Sequence, residues 1–314
     1  MSVLIDRLIV VGTGLIGASL AAAAKNQGVA RQVIGVDPHE AQQALRLGFV
    51  DQAFESLSDL ASVKEPFTGS TAILLAAPVN AVPQIFSDIC LFSEDSSRAA
   101  TGSQSAALQS TSSPSTSSSI SWITDLCSTK AGVMNALDQL PDSMRSRFVS
   151  SHPMAGSEKQ GASAARADLY RDAKILICPL LETDPETIAD VETFWITLGA
   201  QPSLMPIEDH DALLASISHL PHALAFSLAG ALAQSPLAGA AQELHGGGLR
   251  DTTRIAASSP ELWADIFLDN RESLLDAWAH WSVQERSLKD ALEKNDRVML
   301  IDLLNRAAHW RRGF

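Results

Sequence analysis

The stretch Leu8-Ile9-Val10-Val11-Gly12-Thr13-Gly14-Leu15-Ile16-Gly17 decides the fold. Its four apolar residues read as a short strand buried on both faces, and an Ala-rich run from about Ile16 to Gln27 reads as the helix that follows. The glycines between them fit GxGxxG, and Asp37 ends the next strand, Val33-Ile34-Gly35-Val36. In that setting each position has a mechanical role in holding a dinucleotide. Gly12 permits the tight turn, Gly14 lets a pyrophosphate approach the backbone, and Gly17 lets the helix pack closely. Leu15 and Ile16 open the helix, whose free N–H groups and partial positive charge suit phosphate. Asp37 suits the hydroxyls of an adenosine ribose and repels a 2'-phosphate. NAD is therefore expected over NADP, with Arg31 as the nearby residue that would argue the other way.

Outward from this turn, Ala72-Ile73-Leu74-Leu75-Ala76 is a further strand, and the small Ala77 and Pro78 at its end suit the nicotinamide half of the cofactor. Trp122-Ile123-Thr124, Arg147-Phe148-Val149 and Ile175-Leu176-Ile177-Cys178 extend the same layer. Continuous apolar strands joined by helices predict a doubly wound, Rossmann-type parallel sheet. From about Glu208 the strand pattern gives way to long helices. Leu274, Leu275, Trp278, Trp281, Leu288 and Leu292 repeat at helical spacing, a stripe that suits core or dimer packing. The expected division is a dinucleotide domain over 1–181 and an all-helical substrate and dimerisation domain over 182–314. Gln201 to Met205 stays open as a last edge strand of the first. Between Ser93 and Ser121, 13 of 29 residues are serine. Such a segment buries too little to offset its ordering entropy, so 93–121 is expected to be a disordered insertion, at the strands' N-terminal ends and away from ligands.

The net charge of -13 argues against nucleic acid and anionic lipid as partners. Cys90, Cys127 and Cys178 are odd in number and widely spaced, which suits neither a disulfide framework nor a metal site. No apolar run is read as crossing a bilayer, and Met1 to Asp6 lacks the basic start of a leader. A cytoplasmic address is expected.

Four blocks beyond the glycine turn are dense in reactive side chains: Asp125-Leu126-Cys127-Ser128-Thr129-Lys130, Ser151-His152-Pro153-Met154-Ala155-Gly156-Ser157-Glu158, Ser218-His219-Leu220-Pro221-His222, and Gly246 to Ala256 with Arg250-Asp251-Thr252-Thr253-Arg254 at its centre. With the glycine turn, they resemble the prephenate/arogenate dehydrogenase family over nearly the whole chain. The HPMAGSE and DTTRIA blocks are the specific ones. Cys127, where a small residue is usual, Leu249 in place of a common Phe, and the serine-rich insert depart from the pattern. Neither a chorismate mutase segment before the glycine turn nor a regulatory domain after Phe314 is seen, which argues against fused bifunctionality.

The resemblance implies oxidative decarboxylation of prephenate with NAD and no metal. It makes His152 the acceptor of the substrate's C4 hydroxyl proton and Ser128 a partner of the same hydroxyl. It assigns a substrate carboxylate to Arg254, whose planar fork grips such a group in two bonds. His219, His222 and Trp263 then line the substrate pocket, completed by the helical domain through closure or through pairing of two subunits in a homodimer. Lys130 and Arg250 read as ordinary solvated charges. Arogenate, or both substrates, is the alternative, and Asp211 in Glu208-Asp209-His210-Asp211 does not decide between them. Another two-domain dehydrogenase lacks the HPMAGSE block. A non-catalytic NAD-responsive regulator has no need of His152, Ser128 and Arg254 together.

Overall fold

The computed structural model describes residues 5–63, 69–102, 119–156 and 159–313. Eight strands run in chain order: β1 Ile5–Val11, β2 Ala30–Val36, β3 Gln52–Phe54, β4 Ser70–Leu75, β5 Ser119–Asp125, β6 Val149–Pro153, β7 Lys174–Pro179 and β8 Gln201–Leu204. The first five form one parallel sheet in the order β3-β2-β1-β4-β5. A second sheet, β6-β7-β8, has β6 antiparallel to β7, and a parallel bridge from Ile123 to Phe148 joins it to β5.

Alternation of side chains along a strand explains the two-sided burial. Leu8 and Val10 of β1, with Ala72 and Leu74 of β4, enter one apolar cluster. Ile9 and Val11, with Ile73 and Leu75, enter another on the opposite face. The helix Leu15–Gln27 presents Ala18, Leu20, Ala21 and Ala24 to the first cluster, and Val82, Phe86 and Ile89 of the helix Val82–Gly102 belong to the second. β1 and β4 are neighbours in the sheet, and the chain leaves β1 for β2 on one side and β4 for β5 on the other, so their carboxyl ends form the crevice edge at which open parallel sheets take ligands.

The described chain falls into two compact units, Met1–Asp211 with Ser258–Asp269, and Ala212–Ala257 with Asn270–Phe314. The boundary expected at 181 therefore falls inside the first unit. The reason is local: β8 pairs with β7, and Phe194 and Trp195 of the helix Pro185–Thr197 are buried in the first cluster. The serine-rich segment is also shorter than expected at both ends, since the helix Val82–Gly102 covers its start and β5 its finish. Residues 103–118, where the expected disorder falls, lie outside the described residues.

The second unit is helical, with Leu220–Ala233, Ala238–Leu244, Gly247–Thr253, Arg271–Glu293 and Arg297–Arg311 as its α-helices. Of the Trp/Leu stripe, Leu274 is buried, whereas Leu275 and Leu292 are about 60% exposed. Core packing accounts for the first and leaves the others for a partner surface. The helical run Ile207–Ala233 is, against expectation, long and apolar enough by composition alone to cross a bilayer. It carries Asp209, His210, Asp211, His219 and His222, and a helix face of this kind is equally served by a protein partner.

Candidate active site

The glycine turn is built as its spacing predicts. Gly12 has φ +89°, and a Cβ there would lie 2.6 Å from the Ala76 carbonyl oxygen. Only glycine combines that left-handed backbone with so close a neighbour. A Cβ on Gly17 would meet the Gly12 oxygen at 1.9 Å, so the helix seats directly on the turn. At Gly14 nothing among the described residues lies within 4 Å of an added Cβ, which leaves space on that side of the turn. Gly14 also starts the helix without a side-chain cap, leaving its first N–H groups to a ligand. The Asp37 carboxylate accepts hydrogen bonds from the Thr13, His39 and Glu40 N–H groups at 2.8, 2.8 and 2.9 Å. The acid at the end of β2 is thus fixed against the turn, an open cradle beside a placed carboxylate that fits a dinucleotide. Arg31 is out of play: it sits at the opposite end of β2, about 20 Å away at 3.3 Å per residue, and pairs with Asp6 at 3.1 Å.

Ser128 and His152 stand just past β5 and near the end of β6, at the carboxyl edge. Lys130 ties the two strand ends together. Its Nζ donates at 2.8 Å to each of three acceptors: Asp125 Oδ1, the Cys127 carbonyl next to Ser128, and the Ser151 carbonyl next to His152. The side chain is 1% exposed, so the expectation of a solvated charge is corrected: this ammonium is a buried strut. Asp125, fully buried, also accepts from the Cys127 N–H and the Ser150 hydroxyl, which compensates its charge from three sides. Burial, reinforced by Asp125, pushes the Cys127 thiol well above its usual range, and burial pushes Cys178 up to about 12. Both thiols stay protonated and unreactive.

His152 is 8% exposed. Its Nδ1 lies 2.9 Å from Nε2 of His210, whose Nδ1 lies 2.7 Å from Asp211 Oδ1. The Lys130 and Ala131 N–H groups donate to Asp211 at 2.9 Å. Burial alone would raise the Asp211 carboxyl, but the bonds from His210, Lys130 and Ala131 outweigh it and hold the group below the usual carboxylate range. Burial pushes the His210 imidazole below its ordinary value, against the opposing bond to Asp211. Sequence reading passed over His210 and left Asp211 undecided. The available signal was spacing, since Ile207, His210 and Leu214 recur at i, i+3 and i+7 and are all buried. Ser157 and Glu158, the end of the same block, lie outside the described residues.

Trp263, 9% exposed on the helix Pro260–Asp269, packs at 5.4 Å against Phe267 within the first unit. In the second unit, His219 ends a π-helical turn, Ala215–His219, a distortion often found at functional sites. It is 1% exposed, and its Nδ1 lies 3.0 Å from Asn270 Nδ2. An amide nitrogen only donates, so the His219 hydrogen sits on Nε2. His222 Nδ1 donates to the Ser218 carbonyl at 2.9 Å, and its pKa is lowered by burial and by the nearby Arg254 charge. Arg254 is exposed where the helix Gly247–Thr253 ends, and the neighbouring Asp251 pairs with Arg250. Arg250 pairs with Asp251 and is exposed, as expected.

Two family models match the chain in series: the prephenate dehydrogenase nucleotide-binding domain over residues 113–204 and the prephenate dehydrogenase dimerization domain over 206–306. A prephenate dehydrogenase of Bacillus subtilis (strain 168) is 32% identical over 311 residues, which is 98% of this chain and 76% of that protein. Among solved structures, prephenate dehydrogenase from A. aeolicus in complex with hydroxyphenyl propionate and NAD+ superposes with a TM-score of 0.80 at 27% identity, covering 98% of each chain. Synechocystis arogenate dehydrogenase superposes with a TM-score of 0.71 at 26% identity, covering 98% of this chain and 99% of that one. The glycine cradle, the matched domains and the full-length likeness agree, and the chain belongs to the prephenate dehydrogenase family.

Proposed function

We propose that this dehydrogenase converts prephenate to 4-hydroxyphenylpyruvate and carbon dioxide in tyrosine biosynthesis, with NAD as the oxidant, as a homodimer. The observation that carries the reading is His152, seated at the carboxyl edge shared with the glycine turn and bonded through Nδ1 to His210. Proton exchange with a substrate then falls to its Nε2.

NAD, when bound, supplies the acceptor for the hydride that leaves ring C4. Gly12, Gly14, Leu15, Ile16 and Gly17 would hold its pyrophosphate, Asp37 its adenosine ribose, and Ala77 and Pro78 its nicotinamide half. His152 Nε2 accepts the C4 hydroxyl proton as that oxygen becomes a carbonyl, and the Ser128 hydroxyl steadies the same oxygen. Carbon dioxide leaves C1, its bonding pair enters the ring, and the proton returns to the oxygen as the ring becomes aromatic. Arg254 would grip a substrate carboxylate in a two-bond fork, and His219, His222 and Trp263 are the further residues assigned to substrate binding.

Arogenate is the second reading, favoured by the likeness to the Synechocystis arogenate dehydrogenase. Arogenate differs by an ammonium, and Asp211 would be its natural partner by sequence. Both Asp211 oxygens are already engaged by His210, Lys130 and Ala131, which favours prephenate. The test is NADH or NADPH formation with each substrate paired with each cofactor. Prephenate with NAD should give the highest kcat/KM by at least tenfold; a higher value for arogenate or for NADP would overturn that part of the proposal.

A further inference from the structure

We propose that His210 and Asp211 are positioning residues that fix which nitrogen of His152 carries its hydrogen. The inference deepens the proposed function and rests on His152 being the proton acceptor.

A carboxylate accepts and never donates, so the 2.7 Å bond to Asp211 Oδ1 places a hydrogen on His210 Nδ1. A neutral imidazole carrying that hydrogen has a lone pair on Nε2. The 2.9 Å contact from His210 Nε2 to His152 Nδ1 must then be donated by His152. With Nδ1 protonated, neutral His152 presents a lone pair on Nε2, the form needed to take a hydroxyl proton. The other neutral tautomer would offer Nε2–H to that hydroxyl and could not accept from it.

The surroundings keep His210 neutral. It is fully buried, and the charged groups facing the chain are Asp211, Lys130 and Asp125. Lys130 and Asp125 cancel within their own 2.8 Å pair. Asp211 is left as the net negative charge that balances an imidazolium formed on His152. The intervening ring also sets that carboxylate one imidazole further from a dianionic substrate than direct contact with His152 would. The ring centroids lie 5.0 Å apart with the planes tilted by 49°, so the two imidazoles meet nitrogen to nitrogen and are not stacked in parallel.

The orientation of Asp211 makes the chain testable. Its Oδ2 accepts from the Ala131 N–H at 2.9 Å, and the Lys130 N–H is shared between Oδ1 at 2.9 Å and Oδ2 at 3.1 Å. In an Asp211→Asn variant the amide nitrogen cannot accept, so the Ala131 N–H and the Oδ2 branch of the Lys130 N–H hold the amide oxygen, and the amide nitrogen turns to His210. His210 must then accept at Nδ1 and donate from Nε2, and His152 must accept at Nδ1. One substitution should invert both tautomers without changing the fold.

The experiment is long-range 15N–1H correlation of the histidine rings in full-length free enzyme, with His152 assigned by its loss in His152→Asn. Native enzyme should show a pyrrole-like Nδ1 and a pyridine-like Nε2 at His152, and Asp211→Asn the reverse. In the same variant kcat should fall roughly 10²- to 10⁴-fold, with KM for prephenate within about threefold. Should Asp211→Asn not fold, His210→Phe removes the acceptor at similar bulk and should mix the His152 tautomers while lowering kcat at least tenfold. A pyridine-like Nδ1 at His152 in native enzyme, or a kcat within threefold of native in the folded variant, overturns the inference. The NMR readout needs no substrate, so failure of the proposed reaction in native enzyme is seen separately as absent NADH formation with the tautomer still in place.

Discussion

Replacing Lys130 by methionine removes the strut while keeping its approximate length. The Nζ–Asp125 pair is 1% and 0% exposed, so water cannot take over the lost bonds. Asp125 would keep the Cys127 N–H and the Ser150 hydroxyl but lose the one cation paired with it among the described residues, and the Cys127 and Ser151 carbonyls would each lose a donor. Breaking a buried pair from one side costs about 3–5 kcal/mol, because a charge is left uncompensated. With an m-value of about 2.5 kcal/mol/M in urea, the midpoint should fall by roughly 1–2 M. Unfolding is followed by the fluorescence of Trp122 and Trp195, both buried in the first unit. The double variant Lys130→Met, Asp125→Asn removes the orphaned charge and keeps an acceptor for the Cys127 N–H. It should regain at least about 1.5 kcal/mol over the single change. A loss below about 1 kcal/mol, or a double variant no better than Lys130→Met alone, would refute the reading of Lys130 as a strut.

Other outcomes follow from the same geometry. Gly12→Ala should destabilise the first unit by about 2 kcal/mol or more, given φ +89° and a backbone atom at 2.6 Å, as read from urea unfolding. Gly14→Ala meets no protein atom, so it should leave stability within about 0.5 kcal/mol while weakening NAD binding at least tenfold by calorimetry. Arg254→Lys keeps the charge and loses the fork, so KM for prephenate should rise about tenfold or more with a smaller change in kcat, measured under steady-state conditions. Burial lowers the folded-state pKa of His210, so its stability contribution is full above the unfolded value near 6.5 and is lost as pH falls through that value toward the folded one. Thermal midpoints between pH 8 and 5 should therefore drop more steeply in native enzyme than in His210→Phe.

The legible parts of this protein are those where local chemistry leaves one option. Gly12 and Gly17 are demanded by contacts within the turn itself, so GxGxxG and Asp37 disclosed the sheet, its crevice edge and the cradle. The apolar runs of β1, β2, β4, β5 and β7 were visible because burial on both faces removes polar residues. The three-residue β3 was not, being too short to show a pattern. The boundary at 181 was misplaced because β8, with Pro202 and Ser203, has little strand signal and is fixed by pairing with β7. Lys130 and His210 were missed for a different reason: their burial is a tertiary fact. A lysine after a strand and a histidine among three acids look solvated until another segment closes over them.

The central claim is that the His152 ring accepts the proton that oxidation releases. Turnover of His152→Asn with prephenate and NAD, measured beside its equilibrium binding of prephenate, tests it most directly. In that variant kcat should be abolished while the Kd stays within about tenfold of native. Turnover near the native rate in that variant would contradict it.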